Sequence, residues 1–148
     1  MTLLDVFTGV DGSKDQTITR YARSAPGKSI FGEWKSTSME EKSNGAEKFI
    51  INPYGRDGLS LTYSVNNQRV DMHFDGKPYP DQGPDRATSE STSGKRVNAH
   101  FIKLEGLIRG KPDETEELKV SADGMTLTMM SRSLKSGTVF TSVWDKRQ

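Results

Sequence analysis

Leu59-Ser60-Leu61-Thr62-Tyr63-Ser64-Val65 alternates apolar and polar side chains directly after the turn signal Arg56-Asp57-Gly58. A period of two is typical of a strand with one buried face. Similar short runs recur along the chain, separated by Gly, Pro, Asn and Asp. The one helical candidate, residues 38–48, has no apolar stripe and contains Asn44-Gly45. The pattern therefore predicts an all-β fold, an antiparallel meander of about eight strands that closes into a barrel.

The composition narrows the classes of partner. The chain has 148 residues, enough for one domain with a modest core. Its 21 Lys and Arg residues nearly balance 20 Asp and Glu residues, for a formal net charge of +1. A chain with nearly balanced charges has no strong positive electrostatic potential to attract polyanions. Neither nucleic acid nor an anionic membrane is therefore an expected partner. No segment is apolar over the length of a membrane span, so we expect a soluble protein, and the absence of Cys leaves its localisation open.

A self-match joins the two ends of the sequence. Met1-Thr2-Leu3 matches Met125-Thr126-Leu127, and Thr17-Ile18-Thr19-Arg20-Tyr21 matches Phe140-Thr141-Ser142-Val143-Trp144. Each stretch has the pattern of strand, turn and strand. We therefore predict that residues 1–24 are equivalent to the end of a preceding repeat, in which case Met1 would be an internal methionine of a longer tandem protein. A chance match between two hairpins of similar composition is the alternative.

The self-match divides the chain into three parts. A hairpin at residues 1–24 and a linker at 25–30 precede the predicted barrel at 31–148. A lone hairpin is at best marginally stable in water, so it needs a sheet to pair with. It can extend the wall of its own barrel or dock on a second copy of the chain. We expect the second arrangement, a homodimer held together by the N-terminal hairpin.

Three further segments organise the predicted barrel. Arg96 to Leu104 is apolar at alternate positions and predicts one continuous strand. The charge density and Pro112 between Gly106 and Glu116 predict a solvated excursion from the sheet. The prolines from Asp75 to Pro84 predict a rigid loop, with Tyr79 as a lid residue over the barrel mouth.

Four motifs carry a family resemblance. They are Gly32-Glu33-Trp34, Asp75-Gly76-Lys77-Pro78-Tyr79-Pro80, Val120-Ser121-Ala122-Asp123-Gly124-Met125-Thr126-Leu127 and Trp144-Asp145-Lys146. With them, residues 31–148 resemble a group of little-characterised bacterial lipocalin-like proteins whose barrel is often duplicated. The resemblance implies a fold and no activity. It also implies that Trp34 plugs the closed end of the barrel and that Arg147 covers its ring, a structural pair. Met125 departs from the family pattern, which usually has Lys there.

The inward face of such a barrel is both core and pocket lining. Alternation places a set of apolar residues on one face: Tyr63, Phe74, Phe101, Phe140, Val70, Met72, Val97 and Ala99. We therefore predict a cavity for a small hydrophobic or aromatic molecule. The predicted ligand-binding residues are Tyr63, Met72, Phe74, Tyr79, Phe101 and Met129. A barrel filled by its own side chains, acting only as a scaffold for partners, is an alternative.

An enzyme in the same barrel is the second hypothesis. A hydrolase or isomerase would use a His and a carboxylate as acid and base, and the candidates are His73, His100, Asp71 and Glu90. Asp71 and His73 flank the inward Met72, so both are expected to face solvent. The same parity argues against a metal site built from Asp71, His73 and His100. The parity argument leads us to predict no metal. The glycine-rich segments do not lead from a strand into a helix, so we predict no nucleotide cofactor either.

Overall fold

The computed structural model describes residues 1–8, 14–26, 31–43, 48–64, 68–84 and 89–146. Within these ranges the chain consists of strands, turns and loops, without a helix, so the all-β prediction is confirmed. The strands are β1 (Thr2–Thr8), β2 (Lys14–Arg23), β3 (Trp34–Ser43), β4 (Phe49–Pro53), β5 (Gly58–Tyr63), β6 (Gln68–His73), β7 (Tyr79–Pro80), β8 (Glu90–Asn98), β9 (Phe101–Ile108), β10 (Lys111–Val120), β11 (Thr126–Ser133) and β12 (Val139–Asp145).

The strands form two sheets. Nine of them pair in the order β1, β2, β3, β12, β11, β10, β9, β8, β7, and the other three pair as β4, β5, β6. Every pair is antiparallel except β12 and β3, which run parallel over residues 139–142 and 38–41. The predicted antiparallel meander is therefore wrong at β3, which pairs in parallel with β12 and not with the next strand, β4. In the described residues the two sheets do not close into one barrel, and a single pairing of Arg69 with Gln82 links them.

The N-terminal hairpin of β1 and β2 joins the large sheet of its own chain. β2 pairs antiparallel with one edge of β3, and β12 pairs with the other edge. Met39 of β3 thus has Thr19 on one side and Phe140 on the other. The Met1 ammonium donates to the Tyr21 carbonyl at 2.9 Å, and the Tyr21 N–H donates to the Met1 carbonyl at 2.8 Å. The hairpin therefore extends its own sheet, and the outer edge of β1 has no partner strand among the described residues.

The two hairpins related by the self-match differ in register. Leu3 faces Thr19 in the first hairpin, whereas its match Leu127 faces Trp144 in the last. In the sequence match Thr19 corresponds to Ser142, which lies two residues before Trp144. A shift of two keeps every side chain on the same face of its strand. Thr19 and Ser142 are accordingly both buried, and the repeat stays a prediction.

The segment from Arg96 to Leu104 is two strands and not one. Asn98 pairs with Phe101, so Ala99 and His100 form a tight turn between β8 and β9. The prediction of a continuous strand is wrong because the apolar pattern changes parity after Phe101. The inward residue of β9 is the buried Leu104, whereas Val97 of β8 and Ala99 of the turn are exposed.

The predicted excursion between Gly106 and Glu116 is also a hairpin. Arg109 and Gly110 have φ angles of 53° and 72°, and β10 starts directly after them at Lys111. Two successive positive φ angles allow the shortest hairpin turn, whose twist matches that of the strands. Pro112 is accommodated where the register of β10 against β9 shifts. The charge density of the segment predicted a loop, but the positive φ angles of Arg109 and Gly110 form a hairpin turn instead.

Both sheets contribute to one hydrophobic core. Its buried residues are Leu59, Leu61, Val70, Met72, Leu104, Leu118 and Met129. Met72 of β6 has no exposed surface. Gly94 of β8 provides the space for it, because a Cβ at position 94 would lie 2.6 Å from the Met72 sulfur. The small sheet is therefore held against the large one by packing, with the Met72 side chain seated against Gly94.

Candidate ligand-binding cleft

A cleft lies where two strand edges approach each other without pairing. β4 is the outer strand of the small sheet. β12 pairs with β3 only up to Ser142, so the same edge of β12 is unpaired from Val143 to Asp145 within the described residues. The rings of Phe49 from β4 and Trp144 from β12 meet across this gap, with their centroids 5.7 Å apart. The cleft is therefore bounded by one aromatic ring from each sheet.

The cleft has the size of a small-molecule site. Its volume is about 680 Å³, and ligand pockets in proteins usually enclose about 300–1,000 Å³. Apolar side chains from β4, β11 and β12 line it, among them Phe49, Ile51, Leu127 and Trp144. Ile51 is 40% exposed in the free chain. A bound apolar molecule would cover this surface, which gives the cleft a favourable contribution from burial.

The two aromatic rings of the cleft are positioned by contacts with the core. The Phe49 ring packs on Tyr63 with centroids 4.5 Å apart. The Tyr63 hydroxyl donates to the sulfur of the buried Met129 at 2.9 Å. Trp144 donates its indole N–H to the Ser142 hydroxyl at 2.8 Å, which fixes the plane of the indole. Both walls of the cleft are thus preorganised in the described structure.

The turn between β10 and β11 forms one rim of the cleft. An Asp-Gly pair is a sequence signal for a turn with a positive φ at the glycine, and Gly124 has a φ of 73°. Asp123 accepts hydrogen bonds from the Ser121 hydroxyl and from the Met125 N–H. These bonds favour the ionised carboxylate and lower the pKa of Asp123. The turn thereby holds Gly124 and Met125, which both line the cleft, in place.

A second cavity lies near the start of β10, whereas the cleft lies near its end. Its volume is about 150 Å³, and its carboxylate lining consists of Asp81, Glu90, Asp113, Glu114 and Glu116. Gly106 leaves room for Glu114, because a Cβ at position 106 would lie 2.9 Å from the Glu114 Cγ. This cavity is smaller than the usual range for ligands and its lining is acidic, so it does not suit an apolar molecule.

None of the six predicted ligand-binding residues lines the cleft. Met72 and Met129 are buried core residues. Tyr63 lines the acidic cavity and lies behind Phe49. Phe74 lies under the Arg96 guanidinium, 4.7 Å from the ring centroid. The inward face predicted from alternation is therefore used for the core, and the cleft is formed elsewhere.

Tyr79 and Phe101 also differ from their predicted places. Tyr79 belongs to β7, where it pairs with Thr92 and packs against the core. Burial and the hydrogen bond from its hydroxyl to Asp75 raise the pKa of Tyr79. Phe101 lies beneath the ammonium groups of Lys103 and Lys119, 5.4 and 4.9 Å from its centroid. Its inward orientation was predicted wrongly, because β9 turns its even-numbered residues to the core.

The weak catalytic candidates do not form a common site. His100 lies in the turn between β8 and β9, where its backbone N–H donates to Asn98. His73 has its Nδ1 3.3 Å from the Asp57 carbonyl oxygen. Glu90 lies in the acidic cavity, which neither histidine lines. Among the described residues, no hydrogen bond joins His73 or His100 to a carboxylate.

Asp71 and His73 occupy the predicted face of β6, but that face is not fully solvated. The Asp71 side chain is 15% exposed and accepts a hydrogen bond from Arg69 at 2.8 Å. Burial acts to raise the pKa of Asp71, but hydrogen bonds from Arg69 and Ser60 outweigh it and leave the pKa lowered. The His73 ring is half-buried near Tyr54 and Tyr79, with centroids 5.3 and 5.9 Å away. Asp71 and His73 thus lie on the predicted face, but both side chains are less exposed to solvent than expected.

A guanidinium stacks on the Trp34 ring, as the resemblance implies, and it belongs to Arg23. The Arg23 guanidinium lies 4.6 Å from the centroid of the Trp34 ring and donates to the Phe31 carbonyl at 2.9 Å. Arg147, the predicted partner, lies outside the described residues. Arg23 follows Tyr21 by two residues, and Arg147 follows its match Trp144 by three, so both are basic residues that come shortly after the matched aromatic residue. A stacked guanidinium of this kind stabilises the start of β3 without any ligand.

Sequence reasoning missed the β4 side of the cleft. The apolar run Phe49-Ile50-Ile51 was the signal available in the sequence. All three residues line the cleft. Their role depends on the outer edge of β4, which pairs with no other strand in the described part of the chain. Strand pairing of this kind cannot be deduced from periodicity.

Comparisons with known proteins identify no relative of this chain. No family model, no curated protein and no solved structure matches the chain. Among the described residues, no three His, Asp or Glu side chains converge as a metal site. The same part of the chain contains no helix of the length and hydropathy needed to cross a membrane.

Proposed function

We propose that the chain binds a small hydrophobic or aromatic molecule in the cleft between β4 and the β11–β12 hairpin. The observation that carries this proposal is the apolar gap of about 680 Å³ bounded by Phe49 and Trp144. Planar aromatic rings stack favourably against other aromatic rings, beyond the gain from buried area. The ring pair at the cleft therefore supports a ligand with an aromatic or flat apolar part.

We also propose that β4 to β12 form an interrupted lipocalin-like barrel. Val70 and Met72 of the small sheet share one core with Leu104 and Leu118 of the large sheet. The pairing of Arg69 with Gln82 joins the sheets on one side, and β4 faces β12 on the other. In this arrangement the cleft is the opening in the barrel wall. Access from the side would replace the access through a barrel mouth that the resemblance suggests.

Binding is favoured over catalysis by the geometry of the candidate groups. General acid–base catalysis needs a donor and an acceptor within hydrogen-bond reach of one substrate. His73 and His100 belong to different places in the fold, and neither lines the cleft. The charged groups that do line it are Lys48, Asp145 and Lys146. A hydrolase or isomerase remains the alternative function, without a specific observation in its favour.

Fluorescence of N-phenyl-1-naphthylamine, a neutral aromatic probe, tests the proposal. The chain has two tryptophans, so the variant Trp34→Phe leaves Trp144 as the sole tryptophan. We expect saturable probe binding with energy transfer from Trp144. Ile51→Gln should weaken binding by about three- to tenfold, because it places an amide on the apolar wall. The matched control Val97→Gln, at a similarly exposed position, should leave affinity unchanged. The absence of saturable binding, or equal effects of both variants, would overturn the proposal.

We further propose a homodimer formed through β1. This strand is the outer strand of the large sheet, and Leu3, Leu4 and Val6 are 45%, 57% and 55% exposed. The opposite outer strand, β7, has two residues and ends in Pro80, which cannot donate to another strand. β1 has no such protection, since it contains neither Pro nor Lys and its register is regular. Antiparallel pairing of β1 with β1 of a second copy closes both edges at once.

A further inference from the structure

The rim of the cleft carries a specific set of charges. Lys48, Asp145 and Lys146 are the charged residues that line it. Neither lysine ammonium forms an ion pair within the described part of the chain. The rim therefore has a net positive charge beside an apolar surface. The acidic cavity at the other end of β10 has the opposite character.

Hydrogen bonds hold the backbone of both lysines in place. The Lys48 N–H donates to the Ser64 hydroxyl at 2.8 Å, and the Ser64 N–H donates to the Lys48 carbonyl at 2.9 Å. The Lys146 N–H donates to the Met125 carbonyl at 2.8 Å. Lys48 precedes Phe49, and Lys146 follows Trp144 by two residues. Each aromatic wall thus has an anchored lysine next to it, with a flexible stem that can follow a ligand.

From this arrangement we propose that the natural ligand is an amphipathic anion. Its apolar or aromatic part lies in the cleft against Phe49 and Trp144, and its carboxylate or comparable anionic group lies at the rim with Lys48 and Lys146. A neutral molecule would leave both ammonium groups without a counter-charge. An anion forms ion pairs with the two lysines, and this attraction outweighs the repulsion from the single carboxylate of Asp145. This inference rests on the proposed function, since it specifies the ligand class of the same cleft.

Two probes with the same aromatic skeleton test the inference. N-phenyl-1-naphthylamine is neutral, and 8-anilinonaphthalene-1-sulfonate adds one sulfonate to the same rings. Lys48→Gln and Lys146→Gln should each weaken binding of the sulfonate probe by about three- to fivefold, and the double variant by about tenfold or more. Each should change the affinity of the neutral probe by less than about twofold. Glutamine keeps much of the apolar stem, so the walls of the cleft are preserved.

Two controls separate charge from structure. Lys135→Gln lies in the turn at the opposite end of the β11–β12 hairpin and should change neither affinity. Asp145→Asn removes the one negative group at the rim, and we expect the sulfonate probe to bind about twofold more tightly. Added salt should weaken the sulfonate probe in the unaltered chain and have little effect on the neutral probe.

The outcomes distinguish the inference from the function on which it rests. If the neutral probe does not bind, the proposed function fails. If the neutral probe binds, the proposed function is supported. If the lysine variants then weaken the binding of both probes equally, or of neither, the inference of an anionic ligand is overturned. Selective weakening of the sulfonate probe, absent in Lys135→Gln, supports both.

Discussion

Phe49 and Trp144 lie with their ring centroids 5.7 Å apart and their planes inclined by 43°, one ring from each of the two sheets. Within the described residues, backbone pairing links the sheets only at Arg69 and Gln82. The ring pair is therefore a side-chain contact at a place where a closed barrel would have a hydrogen-bonded ladder. An edge held by side chains alone leaves part of the strand edge uncovered, which allows a ligand to enter the cleft beside the two rings.

Replacing Phe49 should affect both stability and binding. Phe49→Ala should lower the free energy of unfolding by about 1–3 kcal/mol, less than for a fully buried Phe, because the ring is half-buried. The same variant should abolish saturable binding of the neutral probe. Urea denaturation and probe titration measure the two effects. Phe31→Ala, at a residue that is 84% exposed, is the control and should change neither. Normal probe binding by a folded Phe49→Ala variant would contradict the site.

Met72 and Gly94 should be energetically coupled. Met72→Ala should cost about 2–5 kcal/mol because it leaves a cavity in the core. Gly94→Ala should cost about 1–3 kcal/mol because its Cβ meets the Met72 sulfur. In the double variant the added methyl occupies part of the cavity, so we expect the combined loss to be smaller than the sum by about 1 kcal/mol. A strictly additive double-mutant cycle would show that the two residues do not share this space.

The turn at Asp123 should make stability depend on pH. Its pKa is lowered in the folded chain by the Ser121 hydroxyl and the Met125 N–H. A lowered pKa means that the stabilisation is fully present above the unfolded value of about 3.9 and is lost as the pH falls through the folded value. Asp123→Asn should lack this component. Urea midpoints of the two proteins should therefore differ at neutral pH and converge as the pH falls below the unfolded pKa of Asp. A difference independent of pH would exclude Asp123 as the source.

Introducing a charge on β1 should prevent self-association. A lysine on an outer strand opposes pairing with a second strand. We expect Val6→Lys to be a folded monomer and the unaltered chain to be a dimer when measured by light scattering after gel filtration. Val97→Lys, at a valine of similar exposure on β8, should remain dimeric. A monomeric unaltered chain, or a dimer that persists in Val6→Lys, would refute pairing through β1.

Local pattern predicted the class of fold and several of its turns. The alternation of residues 59–63 corresponds to β5, and the Asp123-Gly124 turn is present with the required positive φ. Parity also placed Val70 and Met72 in the core. These features depend on neighbours in the sequence, so periodicity and turn residues suffice to find them.

Long-range pairing could not be predicted in the same way. The parallel pair of β3 and β12 joins residues about 100 positions apart, and nothing in either strand specifies the other. The cleft follows from that pairing, because β3 covers β12 only as far as Ser142 and leaves Trp144 beside Phe49. The predicted ligand-binding residues were chosen by apolar alternation, which identifies a core face. A surface opening depends instead on where the strands stop pairing.

Two-dimensional amide NMR of the unaltered chain during titration with N-phenyl-1-naphthylamine is the most direct measurement. The spectrum contains two indole N–H signals, from Trp34 and Trp144. Binding in the cleft predicts saturable shifts of the Trp144 indole and of the backbone amides of Phe49, Ile51 and Leu127, with Trp34 unchanged. Shifts confined to the acidic cavity, or no saturable shifts at all, would contradict a ligand site between β4 and β12.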